Sequence, residues 1–290
     1  MPERRLRLAA IDFLNPAPLM WDFEHEPGKS RLAERYEIRY SMPAQCAIDL
    51  FAGRADVGLV PAAAYAWDPS MRIVPGCAIA SKGRIRSIIL VTRDDGPEAA
   101  RKVALDTSSL TSSAFTRILF RKYWNPAAEF LPFAPDLEAM LAAADAAMLI
   151  GDPALLALED SQARFDRTGE ALLYWDLGHE WLWRTGVPWV SAFWGVRAGA
   201  LEATSVPREE LVESLIADFQ ASRNHGLGHI EELVEEWSGR IALPKPLIRT
   251  YLTENIHYVL DEACLEGLAT FYRYAAEYDI LPAAPEVRLL

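Results

Sequence analysis

Short strand-like runs, most of them apolar on nearly every position, recur through the first two thirds of the chain, and each ends in a turn-forming cluster. Leu6 to Phe13, Tyr36 to Tyr40, Arg54 to Pro61, Ile73 to Ile79 and Arg86 to Thr92 form a first set. Val103 to Leu105, Glu129 to Phe133, Ala146 to Ile150 and Pro188 to Arg197 form a second. A run that is apolar on successive positions is buried on both faces, as in a parallel sheet with helices on either side. Helix-like segments at Pro43 to Phe51, Ser113 to Tyr123 and Asp136 to Ala144 alternate with these runs, which predicts an α/β architecture. After about residue 205 the chain turns helical throughout: Pro207 to Asn224, His229 to Ser238, Pro244 to Glu254 and Leu260 to Tyr278, with Gly226, Gly228 and Gly239 as expected punctuation.

The repeat of the strand–helix alternation predicts two lobes and a helical C-terminal tail. Two long apolar strands, Ser87 to Arg93 and Val190 to Arg197, bracket the middle of the chain and are natural crossing points. The first lobe would hold residues 1–91 plus 195–290, and the second residues 92–194. A bilobal shape puts a ligand cleft between the lobes. Asn15, Pro61, Ser87, Ser109, Thr111 and Gly151-Asp152 would lie at strand ends facing that cleft, the edge where open α/β sheets bind ligands.

The densest chemical signal is Asp106-Thr107-Ser108-Ser109-Leu110-Thr111-Ser112-Ser113, between the Val103 to Leu105 strand and the following helix. A helix start has unpaired N–H groups and partial positive charge, so hydroxyls gathered there can seat a carboxylate or phosphate. The same residue types are also the usual caps, so a cap and an anion seat both stand. Asn15 reads equally as a ligand contact or a turn former.

Composition narrows the partners. The 290-residue chain is 51% hydrophobic, which suits a folded core, and carries a net charge of −12 without a Lys/Arg block. Nucleic acid and anionic membranes are therefore not expected partners. Three scattered cysteines fit a reducing compartment and no zinc site. Met1 to Arg5 is basic enough for a leader, but Asp12 and Asn15 interrupt the apolar run after it, and no 18-residue apolar stretch occurs, so a cytoplasmic location is expected.

No phosphate-binding glycine loop, dinucleotide fingerprint or nucleophile elbow is present. His225 and His229 have chelating spacing, but no third ligand accompanies them, so no metal is expected. Asp152 reads as an acid/base group, a ligand contact or a cap. The tryptophans at 175, 181, 183, 189 and 194 read as core or as a stacking surface.

Taken in order, several segments resemble the enzymes of the futalosine route of menaquinone biosynthesis, most closely the chorismate dehydratases. They are Ile11-Asp12-Phe13-Leu14-Asn15, Gly53 to Pro61, Cys77 to Ser81 with Ser87, Leu105-Asp106 with Ser108-Ser109 and Thr111-Ser112, Leu149-Ile150-Gly151-Asp152, Tyr174 to Gly178, and Thr185 to Val190. The resemblance implies a fold like a type 2 periplasmic binding protein, with two lobes joined by two crossing strands. It also implies conversion of chorismate to an aromatic enolpyruvyl ether without a cofactor. On this basis Asn15 and Asp152 are the expected catalytic residues, and Ser87, Ser109, Thr111, Ser112, Pro61 and Gly151 the expected substrate contacts. The sister enzyme, 1,4-dihydroxy-6-naphthoate synthase, has a histidine where this chain has Gly151, which disfavours that activity here. A non-catalytic binding or sensor protein on the same scaffold is the other class consistent with these motifs.

Overall fold

The structure, a computed structural model, describes residues 4–93, 95–202 and 207–290. Met1 to Glu3, part of the start weighed above as a leader, lie outside the described residues. Ten strands are named in the described residues: β1 Leu6–Ile11, β2 Tyr36–Ser41, β3 Val57–Pro61, β4 Arg72–Ser81, β5 Ile88–Thr92, β6 Lys102–Asp106, β7 Glu129–Phe133, β8 Ala146–Ile150, β9 Leu173–Asp176 and β10 Trp189–Val196.

They form two five-stranded sheets, ordered β2-β1-β3-β10-β4 and β7-β6-β8-β5-β9. The two share one plan. Three strands run parallel, β2-β1-β3 and β7-β6-β8, and the fourth, β10 or β5, runs antiparallel to both of its neighbours. The inner strands β3, β5 and β8 are buried at every residue, whereas the edge strands β2 and β7 are largely half-exposed. This is the burial expected where helices cover both faces of a sheet.

Sheet membership moves the expected lobe boundaries. The divisions at 91/92 and 194/195 fall inside strands, since β5 lies wholly in the second sheet and β10 wholly in the first. The crossings are instead the turn over residues 82–87 and the segment of the Leu177–Thr185 helix and its exit. Asp176 ties them together, accepting hydrogen bonds from the Ile85 and Arg86 amides at 3.1 and 2.8 Å while capping the Leu177–Thr185 helix through His179 N.

The C-terminal helices are not a loose tail. The Arg208–Gly228 helix packs on the Ala17–Met20 turn after β1, and the Glu262–Glu277 helix packs on β10 and on the Leu110–Tyr123 helix of the second lobe. Gly226 and Gly228 were expected to interrupt a helix, but it runs through to Gly228. Gly226 is needed for proximity instead: a Cβ there would stand 2.1 Å from the Pro18 carbonyl oxygen.

At the end of the first sheet away from the cleft, Asp56 is fully buried and receives Arg4, Arg7 and Arg197 at 2.8–2.9 Å. These guanidiniums and the Arg7 amide hold its carboxyl well below the usual carboxylate range. Removing one partner of a buried ionic group costs several kcal/mol. We expect Asp56→Asn to lower the unfolding free energy by about 3 kcal/mol at pH 7. Because the folded-state pKa is depressed, this contribution is present above about pH 4 and is lost on further acidification. Denaturant titrations of both proteins across that range check the slope, which the variant should lack.

Candidate active site

The carboxyl ends of the parallel strands of both sheets converge on one partly open space between the lobes, the position where such sheets hold ligands. Ile11 ends β1, Pro61 ends β3 and Ile150 ends β8; the antiparallel strands contribute their starts, Ile88 and Ser191-Ala192. Asn15, Pro61, Ser87, Ser109, Ser112 and Gly151 all line it, as the sequence led us to expect. Phe13, Pro43 and Ile79 supply apolar walls. Among the described residues that line the space, none is ionisable.

The hydroxyl-rich stretch proves to be both cap and cavity wall. The helix begins at Leu110, not at Ser113, with Ser109 as its N-cap. Ser109 Oγ accepts from Ser112 N at 3.1 Å and donates to Ser112 Oγ at 3.0 Å, so the Ser112 proton is left for the cavity. Residues three apart share a helix face, so Ser109 and Ser112 line the space together. Thr111 does not: it sits off that face, and its Oγ1 accepts from Ala63 N at 3.0 Å, an inter-lobe contact. Below the stretch, buried Asp106 accepts from Ser108 N and Ile150 N, which fixes the ends of β6 and β8 beside each other.

Asn15 follows β1 at the turn under the Arg208–Gly228 helix. Its Oδ1 is buried without a hydrogen-bond partner, an unmet acceptor at the cavity wall. Ser87 is set by the crossing. Its amide bonds Ile85 O at 2.7 Å around Arg86, whose φ is +59°, a tight three-residue turn of a kind rarely populated. Ser87 O in turn accepts from Gly151 N at 2.8 Å, and its side chain lies beside the fully buried Tyr251. Tyr251 opens a single π-turn, Tyr251–Asn255, a feature often found at functional sites.

Gly151 has φ +60°, and a Cβ there would stand 2.9 Å from the Phe13 ring. Asp152, expected in the cavity, neither lines it nor caps the Gly151–Glu159 helix. Its Oδ1 accepts from Leu14 N at 3.3 Å, reaching from one lobe to the other. Burial pushes its carboxyl up to about 6, against the lowering effect of the Leu14 amide.

The remaining expectations sort as follows. His225 turns to Asp22 and His229 to the His225 carbonyl, so the pair does not converge on a cation. His257, Asp261 and Cys264 do cluster, but the Lys82 ammonium lies on Asp261 at 2.5 Å and Asp261 caps the last helix. Trp181, Trp189 and Trp194 are core, Trp183 is exposed, and Trp175 donates to Thr92. Sequence reasoning missed three positions. Phe13 and Ser191 line the space without belonging to any polar motif, and Tyr251 lies behind Ser87, far along the chain.

Two sheets of one plan, with a space between their strand ends, give the bilobal fold seen in periplasmic binding proteins. The fold matches the periplasmic aliphatic sulphonate binding protein of Escherichia coli with a TM-score of 0.66 at 14% identity, covering 98% of this chain and 96% of that one. It matches a structural-genomics protein from Archaeoglobus fulgidus with a TM-score of 0.72 at 17% identity, covering 96% and 98%. A family profile described as menaquinone biosynthesis matches residues 6–277. The chorismate dehydratase of Thermus thermophilus is 31% identical over 261 residues, 87% of this chain and 90% of that protein. The chain belongs to the menaquinone-biosynthesis family.

Two outcomes follow. Asp152→Asn retains an acceptor for Leu14 N but cannot ionise. A folded-state pKa raised to about 6 makes the ionised form costly, so wild-type stability falls as pH rises from about 4 through 6. Melting-temperature profiles against pH should show that fall in the wild type and not in the variant. Tyr251→Phe removes the buried phenol hydroxyl beside Ser87, and turnover should drop several-fold, about the effect of one lost polar contact, while circular dichroism stays unchanged.

Proposed function

We propose that this protein is a chorismate dehydratase, a carbon–oxygen hydro-lyase that converts chorismate to 3-[(1-carboxyvinyl)oxy]benzoate and water. The observation that carries the reading is the inter-lobe space lined by Asn15 and serine hydroxyls at a helix N-terminus, without an ionisable wall residue, in a chain that covers 90% of a chorismate dehydratase.

The ring C3 proton and the C4 hydroxyl leave. The C3–H electron pair becomes the new ring π bond as the C4–O bond breaks, and the ring becomes aromatic. Ser109, Ser112 and the helix N-terminus hold the ring carboxylate, which acidifies C3–H through the adjacent alkene. The unmet Asn15 Oδ1 accepts from the ring hydroxyl, and Ser87 orients that hydroxyl or the second carboxylate. With no cationic side chain on the cavity wall to neutralise it, the enolpyruvyl carboxylate keeps its basicity, takes the C3 proton itself and passes it to the departing C4 hydroxyl, so that water leaves and the carboxylate is restored. Position and orientation then supply much of the acceleration. Asp152 serves the lobe contact instead of the proton transfer. The positive φ of Gly151 and the adjacent Phe13 ring leave no room for the histidine of the sister enzyme.

Purified protein incubated with chorismate, without added metal or cofactor, should yield an aromatic enolpyruvyl ether lighter by one water, seen by chromatography with mass detection. Asn15→Ala should lose about 100-fold or more in kcat/KM, in the range of a positioned hydrogen-bonding group at a reacting centre. Asp152→Asn should keep most activity. Bound but unchanged chorismate would move the protein to the sensor class.

A further inference from the structure

Ser191 lines the inter-lobe space, yet none of the motifs that identify the family includes it. It is the extra residue of a β-bulge. Val190 pairs with Ala80 and Ala192 with the adjacent Ile79, which leaves Ser191 opposite no residue of β4. A regular strand sends neighbouring side chains to opposite faces, but here both Ser191 and Ala192 border one cavity. Bulges re-aim side chains in this way, often beside active sites.

The hydroxyl is also oriented. Trp189 Nε1–H donates to Ser191 Oγ at 2.8 Å. An indole nitrogen is a donor only, so the direction of this bond is fixed. Trp189 cannot turn away: it is 1% exposed, stacked on Phe115 at 3.6 Å, and edge-on to Trp181 and Phe271. Ser191 therefore accepts from the protein and directs its own proton elsewhere. Among the described residues no side chain or carbonyl takes that proton.

We propose that Ser191 is a substrate-binding residue that donates to the enolpyruvyl carboxylate. The inference rests on the dehydratase reading of the site. Ser109 and Ser112, from the second lobe, take the ring carboxylate, whereas Ser191 belongs to the first sheet and addresses the arm that carries the other one. A single neutral donor holds one carboxylate oxygen without neutralising the group, which leaves the second oxygen free to reach the C3 proton.

The test compares wild type with Ser191→Ala for two ligands by calorimetry, and for chorismate by steady-state kinetics. 3-[(1-Carboxyvinyl)oxy]benzoate carries the arm; 3-hydroxybenzoate lacks it. We expect the variant to bind the first about tenfold or more weakly, as for a hydrogen bond to a charged group, and the second as wild type does. Its kcat/KM should fall by a similar factor with an unchanged circular-dichroism spectrum, although the unpaired Trp189 N–H lowers the melting temperature. Equal affinity of both proteins for the enolpyruvyl ether, in a wild type that dehydrates chorismate, would overturn the assignment of Ser191 and leave the dehydratase reading intact. Equal weakening for both ligands would also overturn it, because the effect would not depend on the arm. A wild type that neither binds the ether nor converts chorismate would overturn the dehydratase reading itself, and with it the partner assigned to Ser191.

Discussion

Both passages between the sheets hang on one carboxylate. Asp176 accepts the amides of Ile85 and Arg86 on the first crossing while it starts the helix of the second. Gly178 allows the two to touch, since a Cβ there would meet the Gly83 carbonyl oxygen at 2.9 Å. The consequences run into the site. With the Arg86 amide fixed, the three-residue turn around Arg86 delivers Ser87 to the cavity, and the Ser87 carbonyl holds the Gly151 amide. The left-handed conformation of Arg86 is costly for a residue with a side chain, of the order of 1–3 kcal/mol, and persists because surrounding bonds fix it. A cavity-lining serine is thus placed by the crossing itself.

Among the described residues, no ionisable side chain lines the cavity. Its polar groups are hydroxyls, one amide and a helix N-terminus, each oriented by bonds behind the cavity wall. Ser109 is tied to Ser112, and Ser191 to Trp189. Such groups can orient a dianion without suppressing the basicity of its carboxylates, which is what a substrate acting as its own base requires. The strong ionic grouping of this half of the molecule, three arginines around Asp56, lies at the opposite end of the first sheet, where it fixes strands rather than ligand.

Much of the fold was legible because buried parallel strands must be apolar on both faces, a pattern that local sequence shows directly. The boundaries of β2, β7, β8 and β10 lie within a residue or two of the runs that announced them. The Ser161–Thr168 helix was not read: its sequence, Ser-Gln-Ala-Arg-Phe-Asp-Arg-Thr, is too polar to mark a buried stripe, and it is held partly by Arg164 on Glu138 and Glu170. Asp152 and Thr111 show a different limit. Proximity in sequence to a cavity residue does not place a side chain in the cavity, because a helix turns each successive residue by about 100°.

Apolar periodicity and turn chemistry alone determined two α/β lobes, a cavity edge at their strand ends, and a hydroxyl-rich helix start beside it. These are local properties, written in runs of a few residues. Only the tertiary structure decided which hydroxyls face the cavity, that Asp152 links the lobes, and that Ser191 lines the space with Tyr251 behind its wall. The reason is that those facts depend on strand register and lobe contact. A bulge opposite Ala80 and Ile79 and a π-turn beside Ser87 arise from pairings between segments far apart in the chain, and no local pattern encodes them.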